Sequence, residues 1–413
     1  MVSGEVRDTS SRAARAGAPR RIMIAELGAD GTVGGSHQVL FDVARLLDRQ
    51  RYEPVALFYE NNRFVAKLRS VGVEVHHMEE QRLRERRAMT SGRRLRKIAM
   101  LFETVKFRAV LLARHRIDLL HINNSPRIAH DDWLPAARIR RIPVIANMAG
   151  NAPLDEPSAI HRMLVRRFDR VMPVSRHIEQ QVLAFGHPPE RVTMVHPGID
   201  IDGFRARVRR APGAVRAELG IAPDAFLIAM VGNVRAWKGQ HVALEGLARL
   251  SADERARVRL LIIGATAVDD RPYEQSLHDF VQREALAQQV TFLGSREDVP
   301  DVIAASDVVL HASTDPEPFG LVVVEGMALG RVVIASSLGG PSEIIDSGSG
   351  LTFSPDHPEE LAAHLSMLQA NPEARRSLGE AGRRRAERFD IRHTVASDMQ
   401  IYDELLGMGP TKR

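Results

Sequence analysis

No cysteine occurs among the 413 residues, which excludes a disulfide framework, a thiolate nucleophile and a thiolate-held metal. Aromatic residues make up only 5% of the chain. With no zinc-finger spacing, no RNP-type aromatic pattern and no basic region backed by heptads, nucleic acid is not an expected partner. Lysine is scarce as well: Lys67, Lys97, Lys106, Lys238 and Lys412 are all there are, so the net charge of +5 rests on arginine. A guanidinium-rich chain suits phosphate-bearing ligands or an anionic surface. No long uncharged apolar run is present. Residues 319–340 come nearest, but Glu325, Arg331 and several glycines mark them as buried core rather than a lipid-facing helix. Residues 1–20 mix Gly, Ser, Ala and Arg without an apolar stretch and are expected to form a disordered leader rather than a signal peptide, which places the protein in the cytoplasm.

At this length, with 44% hydrophobic residues, the chain can bury two cores. Short β-branched runs at 22–27, 55–58, 119–122, 144–146 and 171–174 alternate with helical segments, the pattern of a parallel sheet flanked by helices. A stretch holding Pro197, Gly198, Gly203, Pro212 and Gly213 follows, and the pattern then restarts at 226–231, 260–263, 290–293, 308–310 and 332–335. The expected division is a leader 1–20, a first α/β domain 21–203, a linker 204–220, a second α/β domain 221–390 and a terminal helix 391–413. That helix has apolar spacing at Val395, Met399, Tyr402 and Leu405 and is expected to pack back on the first domain. Ligands of such sheets bind at the carboxyl ends of the strands, so the loops leaving these runs are where chemistry is sought.

Three loops stand out. After Leu27 come Gly28, Gly31, Gly34 and Gly35, then a helix with an apolar face of Val39, Leu40, Val43 and Leu47. Such glycines either let helix-start amides approach an anion or simply make a tight turn. No Gly-x-Gly-x-x-Gly occurs there, which disfavours a dinucleotide-dependent oxidoreductase. The second loop runs from Gly232 through Asn233, Arg235 and Lys238 to Gly239. Arg235 and Lys238 can clamp a diphosphate and stabilise it as it leaves, the alternative for Lys238 being a solvated surface lysine. The third is Glu317-Pro318-Phe319-Gly320-Leu321, leading into a helix that carries Glu325 within an apolar run. Amides at the helix start face a phosphate, each carboxylate can accept from two vicinal hydroxyls, and a carboxylate in apolar surroundings is costly unless it has a partner.

The pattern Glu317-Pro-Phe-Gly-x4-Glu325, followed by Gly339-Gly340-Pro341-x-Glu343, resembles the donor-site signature of the retaining glycosyltransferase family 4. Val231-Gly232 to Lys238-Gly239 is similar to that family's diphosphate loop, Gly34-Gly35 to its amino-terminal glycine pair, and His196-Pro197-Gly198-x-Asp200 to its interdomain segment. The resemblance covers most of residues 20–405. It implies a GT-B fold, two Rossmann-like domains facing across a cleft, the first binding an acceptor and the second a nucleotide-diphosphate sugar. It implies retaining transfer of a hexosyl group to a hydroxyl acceptor (a glycan, a lipid-linked acceptor or a small molecule). Glu325 would hold the ribose, Lys238 the diphosphate, and Glu317 with the Phe319-Gly320-Leu321 backbone the donor sugar and its phosphate. No cofactor beyond the donor substrate is expected. The chain departs from the family at Asn233, where arginine is common and Arg235 is the candidate substitute, and at Ala149, where the family often has histidine. His121, Asn123 and Asn147 are candidates for the missing polar group, although a histidine ending a strand is more often a packed structural residue. Two rivals are a nucleotide-sugar epimerase on the same scaffold and a catalytically impaired nucleotide-sugar-binding protein.

On the acceptor side, residues 82–97 are rich in arginine and adjoin the apolar Ile98, Leu101, Phe102 and Val105. They predict either peripheral contact with an anionic membrane, at its cytoplasmic face, or a solvated arginine surface. The polar stretch 123–133 offers acceptor hydroxyl contacts with Trp133 as a stacking surface. No histidine and carboxylate cluster shows metal-site spacing, so metal is expected to play no part.

Overall fold

The computed structural model describes residues 18–27, 34–78, 94–123, 133–150 and 166–409. Two all-parallel six-stranded sheets organise them. The first holds β1 (Arg20–Glu26), β2 (Tyr52–Phe58), β3 (Glu74–His77), β4 (Leu119–Asn123), β5 (Val144–Met148) and β6 (Arg170–Pro173) in the order β3-β2-β1-β4-β5-β6. The second holds β7 (Phe226–Val231), β8 (Val258–Ile263), β9 (Val290–Gly294), β10 (Val308–His311), β11 (Val332–Ser336) and β12 (Leu351–Phe353) in the order β12-β11-β10-β7-β8-β9. Counted within each half, both orders are the same, three strands wound one way from the first and three the other. The direction of winding reverses between β1 and β4 and again between β7 and β10, which opens a crevice at the carboxyl end of each sheet. The central strands are apolar and buried on both faces, as helices packed on each side of a parallel sheet require. The fold is therefore α/β with two Rossmann-like sheets.

Each of the ten apolar runs read from the sequence falls on a strand, with ends shifted by at most three residues. Two strands were not legible. β3, with the sequence EVHH, has too little apolar character, and β12 is three residues long. Val192, after the last strand of the first sheet, forms an isolated bridge with Val171. The segment 204–220 is no extended tether: helices Ile201–Ala206 and Pro212–Glu218 occupy most of it, the second started by a proline at its first turn. Residues 319–340 are core, forming the helix Leu321–Ala328 and β11. Among the described residues, no helix is long and apolar enough to cross a membrane. The basic segment 82–97 lies outside the described residues apart from the backbone of a helix that begins at Arg94.

The chain passes from the first sheet to the second beside the point where it returns. Ile199 N–H donates to Phe389 O at 3.1 Å, and Ile391 N–H donates to Ile199 O at 2.9 Å. Gly198 makes this possible, because a Cβ there would lie 2.5 Å from Phe389 O. The helix Ile391–Leu406 then packs on the first sheet, burying Ile391, Val395, Ile401 and Tyr402 in the core formed by β1, β2 and the helix Gly35–Leu46. Each such apolar side chain contributes about 1.5–3 kcal/mol when fully buried. Polar contacts fix its register: the Tyr52 hydroxyl donates to Asp403, which Arg51 also engages at 2.7 Å.

Candidate active site

The richest chemistry lies at the crevice of the second sheet. β7 feeds a loop that ends in the short 3-10 turn Ala236–Lys238, and β10 feeds the loop that carries Glu317. Gly239 lets the two loops touch: its φ is +71°, and a Cβ there would lie 1.8 Å from Ala312 O. Thr314 N–H donates to Trp237 O at 2.8 Å across the same contact. The outcome is an ion pair, Lys238 Nζ to Glu317 Oε2 at 2.6 Å, with the ammonium 4.0 Å from the Trp237 ring centroid. The Ser313 hydroxyl donates to the same carboxylate oxygen at 3.1 Å, and His311 Nε2 stands 3.4 Å from it. Burial by itself would push the Glu317 carboxyl up, but Lys238 and His311 outweigh burial and hold it far below the ordinary carboxylate range. Glu317 is thus an anion at any physiological pH, an acceptor and not an acid. Its Oε1 has no partner among the described residues and is left for a ligand.

Beyond Glu317 the chain turns at Gly320, with φ +100°, into the helix Leu321–Ala328, whose N-cap residue supplies no side-chain bond to the first amides. Those amides form an anion-receptive helix start. Gly340 N–H donates to Glu317 O at 2.8 Å and braces the segment from β11. Phe319 turns inward, its ring 5.8 Å from those of His196 and Phe389, so only its backbone borders the crevice. Glu325, one turn into the helix, is pushed up to about 7 by burial, against which Arg207 pulls weakly. Glu325 is half-buried, and no described residue hydrogen-bonds its carboxyl group. Gly232 opens the loop after β7, and Arg235 is engaged by Asp270 at 3.3 Å rather than by Glu317.

The first sheet presents a different set at its own crevice. Asn123 Nδ2 donates to Glu26 Oε2 at 2.6 Å and to Ser36 O at 3.1 Å, and Asn147 Nδ2 donates to Asn123 Oδ1 at 3.4 Å, a buried row across the ends of β1, β4 and β5. His121 lies one pleat deeper and is fully enclosed. Its Nδ1 stands 2.6 Å from the Tyr402 hydroxyl of the terminal helix, and burial pushes the imidazole down to about 4. Burial also raises the Tyr402 phenol well above its ordinary range, so a neutral hydroxyl faces a neutral imidazole. His121 is therefore a packed core residue rather than a replacement for a loop histidine. Trp133 is not a stacking surface either: it is buried, and its indole N–H donates to the Tyr59 hydroxyl at 2.7 Å. Gly34 is the N-cap of the helix Gly35–Leu46, and a Cβ on Gly35 would lie 2.6 Å from Leu321 Cδ1. The starts of the two helices, one from each half, thus meet across the cleft. Gly28, Gly31, residues 124–132 and Asn151 lie outside the described residues.

Several residues here escaped the sequence reading. His311 and Ser313 follow a strand and sit six and four residues before Glu317, a spacing that becomes informative only once the loop folds back. Glu343 was read as part of a motif without a role. Its Oε1 accepts from Arg176 N–H at 2.8 Å and from His177 N–H at 3.3 Å, and its Oε2 lies 3.4 Å from His196 Nε2. It therefore ties the second half to a helix start in the first. Away from the cleft, Glu74, His76 and His115 converge, a cluster that spacing along the chain does not reveal.

Residues 213–385 match the family described as Glycosyl transferases group 1, and residues 34–198 match the Glycosyl transferase 4-like domain. A D-inositol 3-phosphate glycosyltransferase of Streptomyces bingchenggensis is 30% identical over 297 residues, 67% of this chain and 64% of that protein. One of the same name from Saccharomonospora viridis is 30% identical over 293 residues, 68% of this chain and 67% of its own length. The chain thus spans slightly less than two thirds of the first relative. Among solved structures, Anabaena HepE in complex with UDP and glucose superposes with a TM-score of 0.73 at 24% identity, over 92% of this chain and 99% of that one.

Proposed function

The chain belongs to the group 1 glycosyl transferases, and we propose that it is a retaining hexosyltransferase that moves a sugar from a nucleotide-diphosphate donor to a hydroxyl acceptor. The observation that carries this reading is the Lys238–Glu317 pair at the crevice between β7 and β10, set against an uncapped helix start with Glu325 one turn inside. Lys238 and the first amides of the helix Leu321–Ala328 receive the diphosphate, Oε1 of Glu317 receives donor-sugar hydroxyls, and Glu325 receives the two ribose hydroxyls. Positive charge and helix dipole together stabilise the diphosphate as it departs, the role that a bound cation plays in other transferases, so donor binding needs no metal. The acceptor oxygen bonds to the anomeric carbon on the face from which the phosphate leaves, and the hydroxyl proton passes to the departing phosphate oxygen.

HepE was crystallised with UDP and glucose, so a uridine diphosphate sugar is the first donor to test. The relatives' name makes inositol phosphate the first acceptor. For the first half we keep peripheral contact with an anionic membrane through residues 82–97, at the cytoplasmic face. In support, the helix Arg94–Arg114 exposes Phe102 (72%) and Val110 (59%), a larger apolar display than a solvated helix needs. The experiment is a panel of nucleotide sugars with and without acceptors, followed by the configuration of the product. Acceptor-dependent nucleotide release with retained anomeric configuration supports the proposal. Inverted product rejects the retaining claim, isomerised sugar nucleotide points to an epimerase, and binding without turnover across the panel points to an impaired transferase.

A further inference from the structure

A second cluster lies at the edge of the first sheet, apart from the residues assigned above to sugar transfer. Glu74 and His76 point the same way from edge strand β3, and His115 comes from the end of the helix Arg94–Arg114. Glu74 Oε1 lies 2.6 Å from His76 Nε2 and 3.0 Å from His115 Nδ1, the two imidazole rings are 4.1 Å apart, and the three candidate ligand atoms lie within 4.8 Å of one another. Glu74 pairs in register with Val55 and so lies level with Met23, three residues or about 10 Å short of the carboxyl ends that border the cleft, and β3 is the edge strand, two strands out from β1.

We propose that Glu74, His76 and His115 form a structural binding site for a divalent transition metal of the zinc type, clipping the edge strand to the end of the long helix. Two imidazole nitrogens and one carboxylate oxygen are a common zinc donor set, with a fourth position open to water. Tetrahedral coordination separates ligand atoms by about 3.4 Å, so the present contacts need to open only slightly around an ion. The carboxylate is already aimed: Arg21 holds its other oxygen and is itself paired with Glu53 at 2.5 Å, the outer support that ligating carboxylates usually have. Arg21, Glu53 and Glu74 together leave one negative charge, and the carboxyl end of the helix adds its partial negative charge, so the locus favours a cation. The side chains are partly exposed, which gives an ion a path from solvent.

The test uses the full, untagged chain stripped with EDTA and titrated with zinc chloride by calorimetry, beside E74Q and the double variant H76A/H115A. Because the chain carries 16 histidines, the difference between proteins decides. The wild type is expected to take up one equivalent that the double variant does not, E74Q to hold that equivalent more weakly by roughly tenfold or more, and zinc to raise the wild-type melting temperature alone. Nucleotide binding, unchanged in the double variant, reports that it is folded. Equal uptake and equal affinity in wild type and double variant would overturn the proposal, as would a wild-type melting temperature that zinc leaves where it was.

Discussion

The two halves share one strand order and use it differently. At its crevice the second half gathers charge: an ammonium, a carboxylate forced to stay ionised, an uncapped helix start and a second carboxylate with no donor. At the equivalent place the first half has a row of carboxamides bonded to Glu26 and to one another, above a histidine turned into the core. A diphosphate needs fixed positive charge and free amides; both halves have a helix start with no side-chain cap, and in the second half the Lys238–Glu317 pair stands before it. Neutral amides suit hydroxyl groups. Under the proposed function, the same scaffold sets an ammonium where a leaving group is stabilised and a row of carboxamides anchored on Glu26 where an alcohol is held.

If that contrast is right, Lys238→Ala should lower turnover by roughly 10²–10³-fold, the usual result of removing a group aimed at developing charge. Its melting temperature should stay close to that of the wild type. A variant that keeps its turnover would break the contrast at its strongest point.

The next effect is one of pH. Free Glu325 is pushed up to about 7, and hydrogen bonds from the ribose hydroxyls favour the ionised form. Donor affinity should therefore fall as pH drops below 7, by up to about tenfold per unit, and level off above it. Glu325→Gln should bind weakly with a flat profile, and binding measured between pH 5.5 and 8.5 checks both.

In the first half, Asn123→Ala leaves Glu26 without its amide donor and should cost about 1–3 kcal/mol of stability. It should raise the acceptor KM while leaving the donor constant in place. A weakened donor constant would mean that the halves are not chemically separate.

The smallest effect concerns the helix that joins them. Asp398 is enclosed with neither carboxylate oxygen bonded, and burial pushes it up to about 8. The folded state keeps the proton to a higher pH than the unfolded chain does. The stability this proton gives is full below the unfolded pKa near 4 and is lost as pH rises through 8. Asp398→Asn should flatten the decline of the melting temperature between pH 4 and 8 and leave the variant the more stable of the two at pH 8.

The loop and helix from Glu317 to Glu325 were legible because their parts are neighbours in the chain. Glu317 and Glu325 are one loop and one helical turn apart, and glycine marks both bends. The strands were legible for a similar reason, since a strand buried on both faces must be a continuous apolar run. What stayed hidden depends on long-range contact. His121 and Tyr402 are 281 positions apart, so nothing near His121 shows that a hydroxyl waits for it inside the core. Trp133 adjoins a polar stretch and reads as exposed, but the Tyr59 hydroxyl satisfies its indole and lets it be buried. Glu74 and His76 share a strand too short to recognise, and their third partner is 41 positions from Glu74.

The central claim, that the second half is the donor site, is tested most directly by calorimetric titration of UDP, GDP, ADP and dTDP into the wild type and Lys238→Ala at equal melting temperature. The account predicts one nucleotide bound per chain by the wild type and at least roughly tenfold weaker binding by the variant, the loss of one charge-assisted contact to the diphosphate. Equal affinity in the two proteins, or no nucleotide bound by either, would contradict it.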